Sequence, residues 1–121
     1  MTAAAARPAR VLVVEDDPGG RELLEALLGE EGHAVESMGD GAEAWRRLEA
    51  GAPGFDVVLL DWTLPGLNGL DLLERIKSTA AFESIPVVFQ TARTDRESVL
   101  AAVAAGAAYF VPKPIDRDLL R

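Results

Sequence analysis

An α/β fold wound around a parallel sheet is the architecture the sequence predicts. Short β-rich apolar runs recur along the chain, amphipathic helical stretches lie between them, and acidic or hydroxylic residues stand where several of the runs stop. The size agrees, because 121 residues make one domain and leave no room for a second core. Hydrophobic residues at 49% and charged residues at 26% argue against disorder, and no apolar run approaches the roughly 20 residues that span a bilayer.

Residues 1–9 are Ala-rich, carry Arg7 and Pro8, lack the apolar core of a signal peptide and read as a disordered or extended lead-in to a domain over 10–121. Val11 to Val14 form an unbroken apolar run that stops at Glu15, as expected of a strand covered on both faces. Leu23, Leu24, Leu27 and Leu28 then make one side of an amphipathic helix, with Arg21, Glu22, Glu25 and Glu30 elsewhere, and the helix ends near Gly32. Gly19 and Gly20 are poor helix formers in its first turn, so that end is expected to fray and to loosen the loop before it. A second strand runs from about His33 to Met38. Asp40 and Glu43 stand at capping-box spacing ahead of Ala44, Trp45 and Leu48, and Gly51, Pro53 and Gly54 terminate that second helix. The third strand is Phe55 to Leu60, ending at Asp61.

A loop punctuated by Pro and Gly, Trp62 to Gly69, leads into a helix whose apolar side is Leu70, Leu73 and Ile76. Pro86 to Gln90 is the fourth strand, ending at Thr91. Thr94 and Glu97 again have capping-box spacing, and Val99, Leu100 and Val103 give the fourth helix an apolar stripe before Gly106 stops it. The fifth strand spans about Ala108 to Val111 and breaks at Pro112-Lys113-Pro114. A fifth helix begins at Asp116 and has only the residues to Arg121, too few to be stable alone, so the chain is expected to be a domain excised from a longer protein.

The net charge is -8, with 12 acids and 5 bases in residues 1–60 against 8 and 7 in residues 61–121. That balance disfavours direct binding to nucleic acid or to an anionic membrane. No cysteine is present, which excludes disulfides, thiolate metal sites and cysteine nucleophiles, and a cytoplasmic location fits.

In an open parallel sheet, ligands bind in the crevice beyond the carboxyl ends of the strands. The residues there are Glu15, Asp16 and Asp17 after strand one, Asp61 after strand three, Thr91 after strand four and Lys113 after strand five. Carboxylates gathered at one point repel one another unless a cation lies among them, and Mg²⁺ is the usual partner of such oxygen ligands. Asp17, ahead of Pro18, reads as a helix N-cap rather than a ligand. Thr91 alone fits the end of a strand. Lys113 is one of only two lysines among 12 basic residues and lies between two prolines. Asp61 closes the apolar run Val57-Val58-Leu59-Leu60 and caps no nearby helix, so its burial asks for a functional reason.

Taken together, Glu15-Asp16, the Leu-Leu-Asp61-Trp-Thr-Leu-Pro65-Gly-Leu-Asn-Gly69 segment, Thr91-Ala92, Gly106-Ala107 and Lys113-Pro114 are in the order and spacing of a known family. Over residues 10–121 the sequence resembles the receiver domains of bacterial two-component response regulators. The resemblance implies a flavodoxin-like, doubly wound five-stranded sheet of order 2-1-3-4-5, with helix five truncated. It implies that Asp61 takes a phosphoryl group from a phosphohistidine on a sensor histidine kinase or phosphotransfer protein. Asp16 and Asp61 would hold Mg²⁺ with the backbone carbonyl of Thr63, and Glu15 would act mainly through metal-bound water. Lys113 would pair with one phosphoryl oxygen and Thr91 with another. The added phosphate, about 1.5 to 2 negative charges, would draw Thr91 and Lys113 inward, with Phe110 turning in behind Thr91. Spacing alone fits Phe110 equally well as a plain core aromatic. Pro112 departs from the family pattern by removing a backbone donor ahead of Lys113.

By the same resemblance the domain is a regulator that catalyses only its own phosphorylation and dephosphorylation. It controls an output module beyond Arg121 or a separate protein, with homodimerisation left open. A degenerate receiver serving as a docking or dimerisation module is the alternative; loss of Asp16, Asp61 or Lys113 would have favoured it, and all three are present. An aspartyl-nucleophile phosphohydrolase of the haloacid-dehalogenase type would need a second Asp where Thr63 stands. A flavin-binding domain would need a Ser/Thr-rich first loop, which is missing.

Overall fold

Five strands lie parallel because each apolar run is followed by an amphipathic helix that carries the chain back before the next strand begins. The computed structural model describes residues 8–51, 54–91 and 95–112, with the backbone alone described at Thr91 and at 110–112. The elements are β1 (Arg10–Val14), α1 (Pro18–Glu30), β2 (Ala34–Met38), α2 (Gly41–Glu49), β3 (Val57–Asp61), α3 (Gly69–Lys77), β4 (Val87–Thr91), α4 (Arg96–Ala104) and β5 (Tyr109–Pro112). Their order in the sheet is β2-β1-β3-β4-β5, all neighbours parallel, as expected of the doubly wound flavodoxin-like fold. Residues 1–7 of the expected lead-in over 1–9 and the start of a fifth helix from Asp116 lie outside the described residues. Among those described, no helix is long and apolar enough to cross a membrane.

Successive strand residues point to opposite faces, and each face is covered by its own helices. Leu12, Val14, Val58, Leu60, Val87 and Phe89 pack with Ala44 and Leu48 of α2, Leu72, Leu73 and Ile76 of α3 and Ala102 of α4. Val11, Val13 and Leu59 pack on the other face with Leu24 and Leu28 of α1. Each fully buried Leu, Val, Ile or Phe contributes roughly 1.5–3 kcal/mol, so the three central strands, apolar on both faces, dominate the core.

Several expectations change in detail. Leu23 is 48% exposed, because on α1 the sheet is met by the narrower pair Leu24 and Leu28. The N-cap of α4 is Asp95, one residue after Thr94, which itself lies outside the described residues. The Asp95 carboxylate accepts from the Ser98 backbone N–H at 3.0 Å and from the Ser98 hydroxyl at 2.9 Å. The stripe expected on α4 is also turned: Ser98 and Ala102 are buried, while Leu100 and Val103 are 54% and 57% exposed. Small side chains face the sheet there, and the larger apolar ones point away.

On the edge strand β2, Glu36 lies between two arginines. It accepts from Arg10 Nη2 at 3.0 Å and from Arg47 Nε and Nη2 at 2.9 and 2.8 Å. Both guanidinium groups also stand over the Phe55 ring, 5.6 and 4.6 Å from its centroid. The hydrogen bonds from Arg47, helped by the charges of both arginines, hold the Glu36 carboxyl below its usual range against a smaller opposing effect of burial.

Candidate metal centre

The register between β1 and β3 brings the acids together. Val14 is the partner of Leu60, so the next residue on each strand, Glu15 and Asp61, leaves the sheet side by side. Glu15, Asp16 and Asp61 each offer a carboxylate oxygen, and these oxygens lie within 4.8 Å of one another. Glu15 and Asp61 are buried, at 2% and 5% exposure, and Asp16 is open to solvent. The site therefore has a closed floor and an open mouth. Its donor set consists of hard carboxylate oxygens and fits a divalent cation such as Mg²⁺.

Local structure holds each acid in place. The Glu15 backbone N–H donates to the Met38 carbonyl at 2.9 Å, extending the β1–β2 ladder by one residue. A Glu15 carboxylate oxygen accepts from the Asp17 N–H at 3.2 Å. Arg21, one turn into α1, donates to the carbonyls of Glu15 and Asp16 at 2.8 and 3.2 Å and so ties the acidic loop to the helix. Asp61 Oδ1 accepts from the Trp62 N–H at 2.7 Å, and the Trp62 ring packs on Phe89 with centroids 5.3 Å apart.

The expected roles divide as follows. Asp17 is the N-cap of α1, its side chain accepting from the Gly20 N–H at 2.8 Å. The helix begins at Pro18, so the glycine pair does not unravel its first turn; a Cβ at Gly20 would stand 3.2 Å from Glu15 Cγ, and the glycine leaves room for that side chain. Thr63 is exposed in the loop after Asp61. Thr91 ends β4 one residue past Gln90, the register partner of Asp61, and Phe110 lies on β5 opposite Phe89. Lys113 lies outside the described residues.

Two contributors escaped the sequence reading. Arg21 looked like one more charge on the outer side of α1, although its place six residues after Glu15 puts it within reach of the loop. Gly69 does more than punctuate the loop: a Cβ there would collide with the Asp61 carbonyl and stand 2.8 Å from Trp62 Cα. Its N–H donates to the Trp62 carbonyl at 2.8 Å, so the start of α3 sits directly against the Asp61 backbone.

Comparison with known proteins agrees with this geometry. The sequence profile of the response regulator receiver domain matches residues 11–121. The chain is 32% identical over 113 residues to the chemotaxis protein CheY1 of Helicobacter pylori strain 26695, covering 93% of this chain and 90% of that protein. It is 38% identical over 105 residues to the DNA-binding response regulator MtrA of Mycolicibacterium smegmatis, covering 87% of this chain but only 44% of MtrA. Among solved structures it is similar to the receiver domain of the sensor histidine kinase PA1611 from Pseudomonas aeruginosa PAO1, described with a magnesium ion coordinated in the active site cleft. That likeness has a TM-score of 0.84 and 28% identity, and covers 94% of this chain and 92% of the other. With the acids, the sheet order and the sequence match in agreement, the chain belongs to the response regulator receiver domain family.

Proposed function

We propose that this domain accepts a phosphoryl group on Asp61, in a Mg²⁺-dependent transfer from a phosphohistidine on a sensor histidine kinase or phosphotransfer protein. The observation that carries the reading is the meeting of Glu15, Asp16 and Asp61, with ligand oxygens within 4.8 Å, at the carboxyl edge of the sheet. The residues that would hold Mg²⁺ are Glu15, Asp16, Asp61 and, through its backbone carbonyl, Thr63. When bound, the ion offsets negative charge on the transferred group.

A carboxylate oxygen of Asp61 is the nucleophile, and the Trp62 N–H, which donates to Oδ1, orients the carboxylate. The attacking oxygen forms the new bond to phosphorus in line with the departing imidazole, the P–N bond breaks, and its electron pair stays on the histidine nitrogen. Lys113 pairs with one phosphoryl oxygen and Thr91 with another, and Phe110 follows Thr91 inward. The change reaches the face of α4 and β5 and the segment after it, and from there an output module or a separate protein. The domain acts as a cytoplasmic regulator rather than as an enzyme that turns over an external substrate.

Incubation with acetyl phosphate and Mg²⁺ tests the reading. It should add one phosphoryl mass, labile to hydroxylamine as an acyl phosphate is, and Asp61→Asn should abolish it. Label that survives Asp61→Asn, or a folded, Mg²⁺-binding wild type left unmodified by acetyl phosphate and by a panel of sensor kinases, sinks it. The second of those outcomes leaves a docking or dimerisation module.

A further inference from the structure

Gln90 follows the apolar run Val87-Val88-Phe89 on β4 and is only 1% exposed, yet among the described residues neither its amide nitrogen nor its carbonyl oxygen has a hydrogen-bond partner. A buried amide left unpaired is penalised on both its donor and its acceptor, and an apolar side chain of similar volume would avoid that penalty. Its position suggests why an amide is there. Leu59 and Val88 pack on the α1 face, and two residues farther along their strands Asp61 and Gln90 return to that face as register partners. Glu15 takes the corresponding place on β1, one step past the Val14–Leu60 pair. A polar row of Glu15, Asp61 and Gln90, all buried, therefore crosses three adjacent strands at the mouth. Neighbouring strands stand about 4.8 Å apart, which puts the carboxamide within side-chain reach of the Asp61 carboxyl.

We propose that Gln90 is a positioning residue that shortens the lifetime of the modified state, its Nε2 donating to the Asp61 carboxyl as the phosphoryl group leaves. This inference rests on the phosphoacceptor reading above. In hydrolysis of the aspartyl phosphate, water attacks phosphorus, the P–O bond to Asp61 breaks, its electron pair returns to the carboxyl, and the water proton passes to phosphate or solvent. Negative charge thus grows on Asp61, where the Trp62 N–H is one donor and the Gln90 amide a second. A hydrogen bond that strengthens as charge develops favours the transition state over the ground state.

The test follows the decay of label. Wild type and Gln90→Met are phosphorylated with acetyl phosphate and Mg²⁺, excess reagent is removed, and the phosphoryl mass is followed with time. The variant should lose label about two- to tenfold more slowly, the range of one net hydrogen bond, and should melt no lower than wild type. Gln90→Leu serves as a second variant where the methionine disturbs packing. A residue that only fills the core would shift melting and leave the decay constant unchanged. Equal or faster decay in both variants overturns the inference while the phosphoacceptor reading stands; a wild type that takes no label overturns both.

Discussion

Glu36 and Asp61 are carboxylates on strands of one sheet, and their surroundings differ in kind. Glu36, on the edge, is 37% exposed at its side chain and is flanked by two guanidinium groups that hydrogen-bond it. Asp61, on the central β3, is buried and is brought within 4.8 Å of the carboxylates of Glu15 and Asp16. In the first region charge is matched on the spot and the result is a clamp between β1, β2 and α2. In the second, three carboxylates are gathered at one point, where they repel one another and form a donor set that fits a divalent cation. Removing a carboxylate should therefore have opposite consequences in the two places.

The largest effect expected is at Asp61. Asp61→Asn should lose all labelling by acetyl phosphate, and without Mg²⁺ it should melt higher than wild type because it relieves the repulsion. A metal-free melting temperature lowered by Asp61→Asn would show that the attractions on Asp61 outweigh its repulsion from Glu15 and Asp16 and would erase the contrast with Glu36. Next comes the backbone that seats Asp61. Gly69→Ala forces a methyl group into the Asp61 carbonyl and should destabilise by about 3 kcal/mol, the upper end of the overpacking range, as read by urea melts.

Mg²⁺ should stabilise wild type by about 2.7 kcal/mol at one hundred times its dissociation constant. Trp62, whose N–H donates to Asp61, should report the binding by fluorescence in a Trp45→Phe background. The same titration in Asp61→Asn should give a smaller thermal shift, and equal shifts would place the cation elsewhere.

Glu36→Gln should have the smallest effect, a slight fall in melting temperature, since a pair this exposed is screened by solvent. Its pH dependence has a definite sign. The folded carboxyl lies below its ordinary value, so its contribution is present above the ordinary carboxylate range and is lost as pH falls through the lowered folded value. The gap between wild type and Glu36→Gln should accordingly close in acid and shrink in high salt. A gap that widens in acid would contradict the clamp.

Much of this molecule was legible in one dimension. The strands appeared as apolar runs because a strand covered on both faces has no polar side to show. Asp17 and Asp40 announced the starts of α1 and α2 because capping is settled within four residues, and their carboxylates do accept the expected backbone N–H groups. The acids of the site could be named because they stand where the apolar runs stop. Where two local signals competed, the nearer rule failed: Thr94 and Glu97 have the spacing of a box, but Asp95 takes the cap because the Ser98 N–H and hydroxyl both reach it.

What remained was decided by contacts between residues far apart in the chain. That Glu15 and Asp61 stand side by side depends on the Val14–Leu60 register, and no pattern within either segment specifies a register between them. The same holds for Gly69 against the Asp61 carbonyl and for Gln90 of β4 as the register partner of Asp61 on β3. Leu100 and Val103 carry the apolar pattern of α4, yet Ser98 and Ala102 face the sheet. By itself the sequence determined the order of strands and helices and the residue types delivered to the carboxyl edge, because periodicity and capping are local. The tertiary structure alone decided which side chains meet there, because distance and burial are properties of the packed sheet.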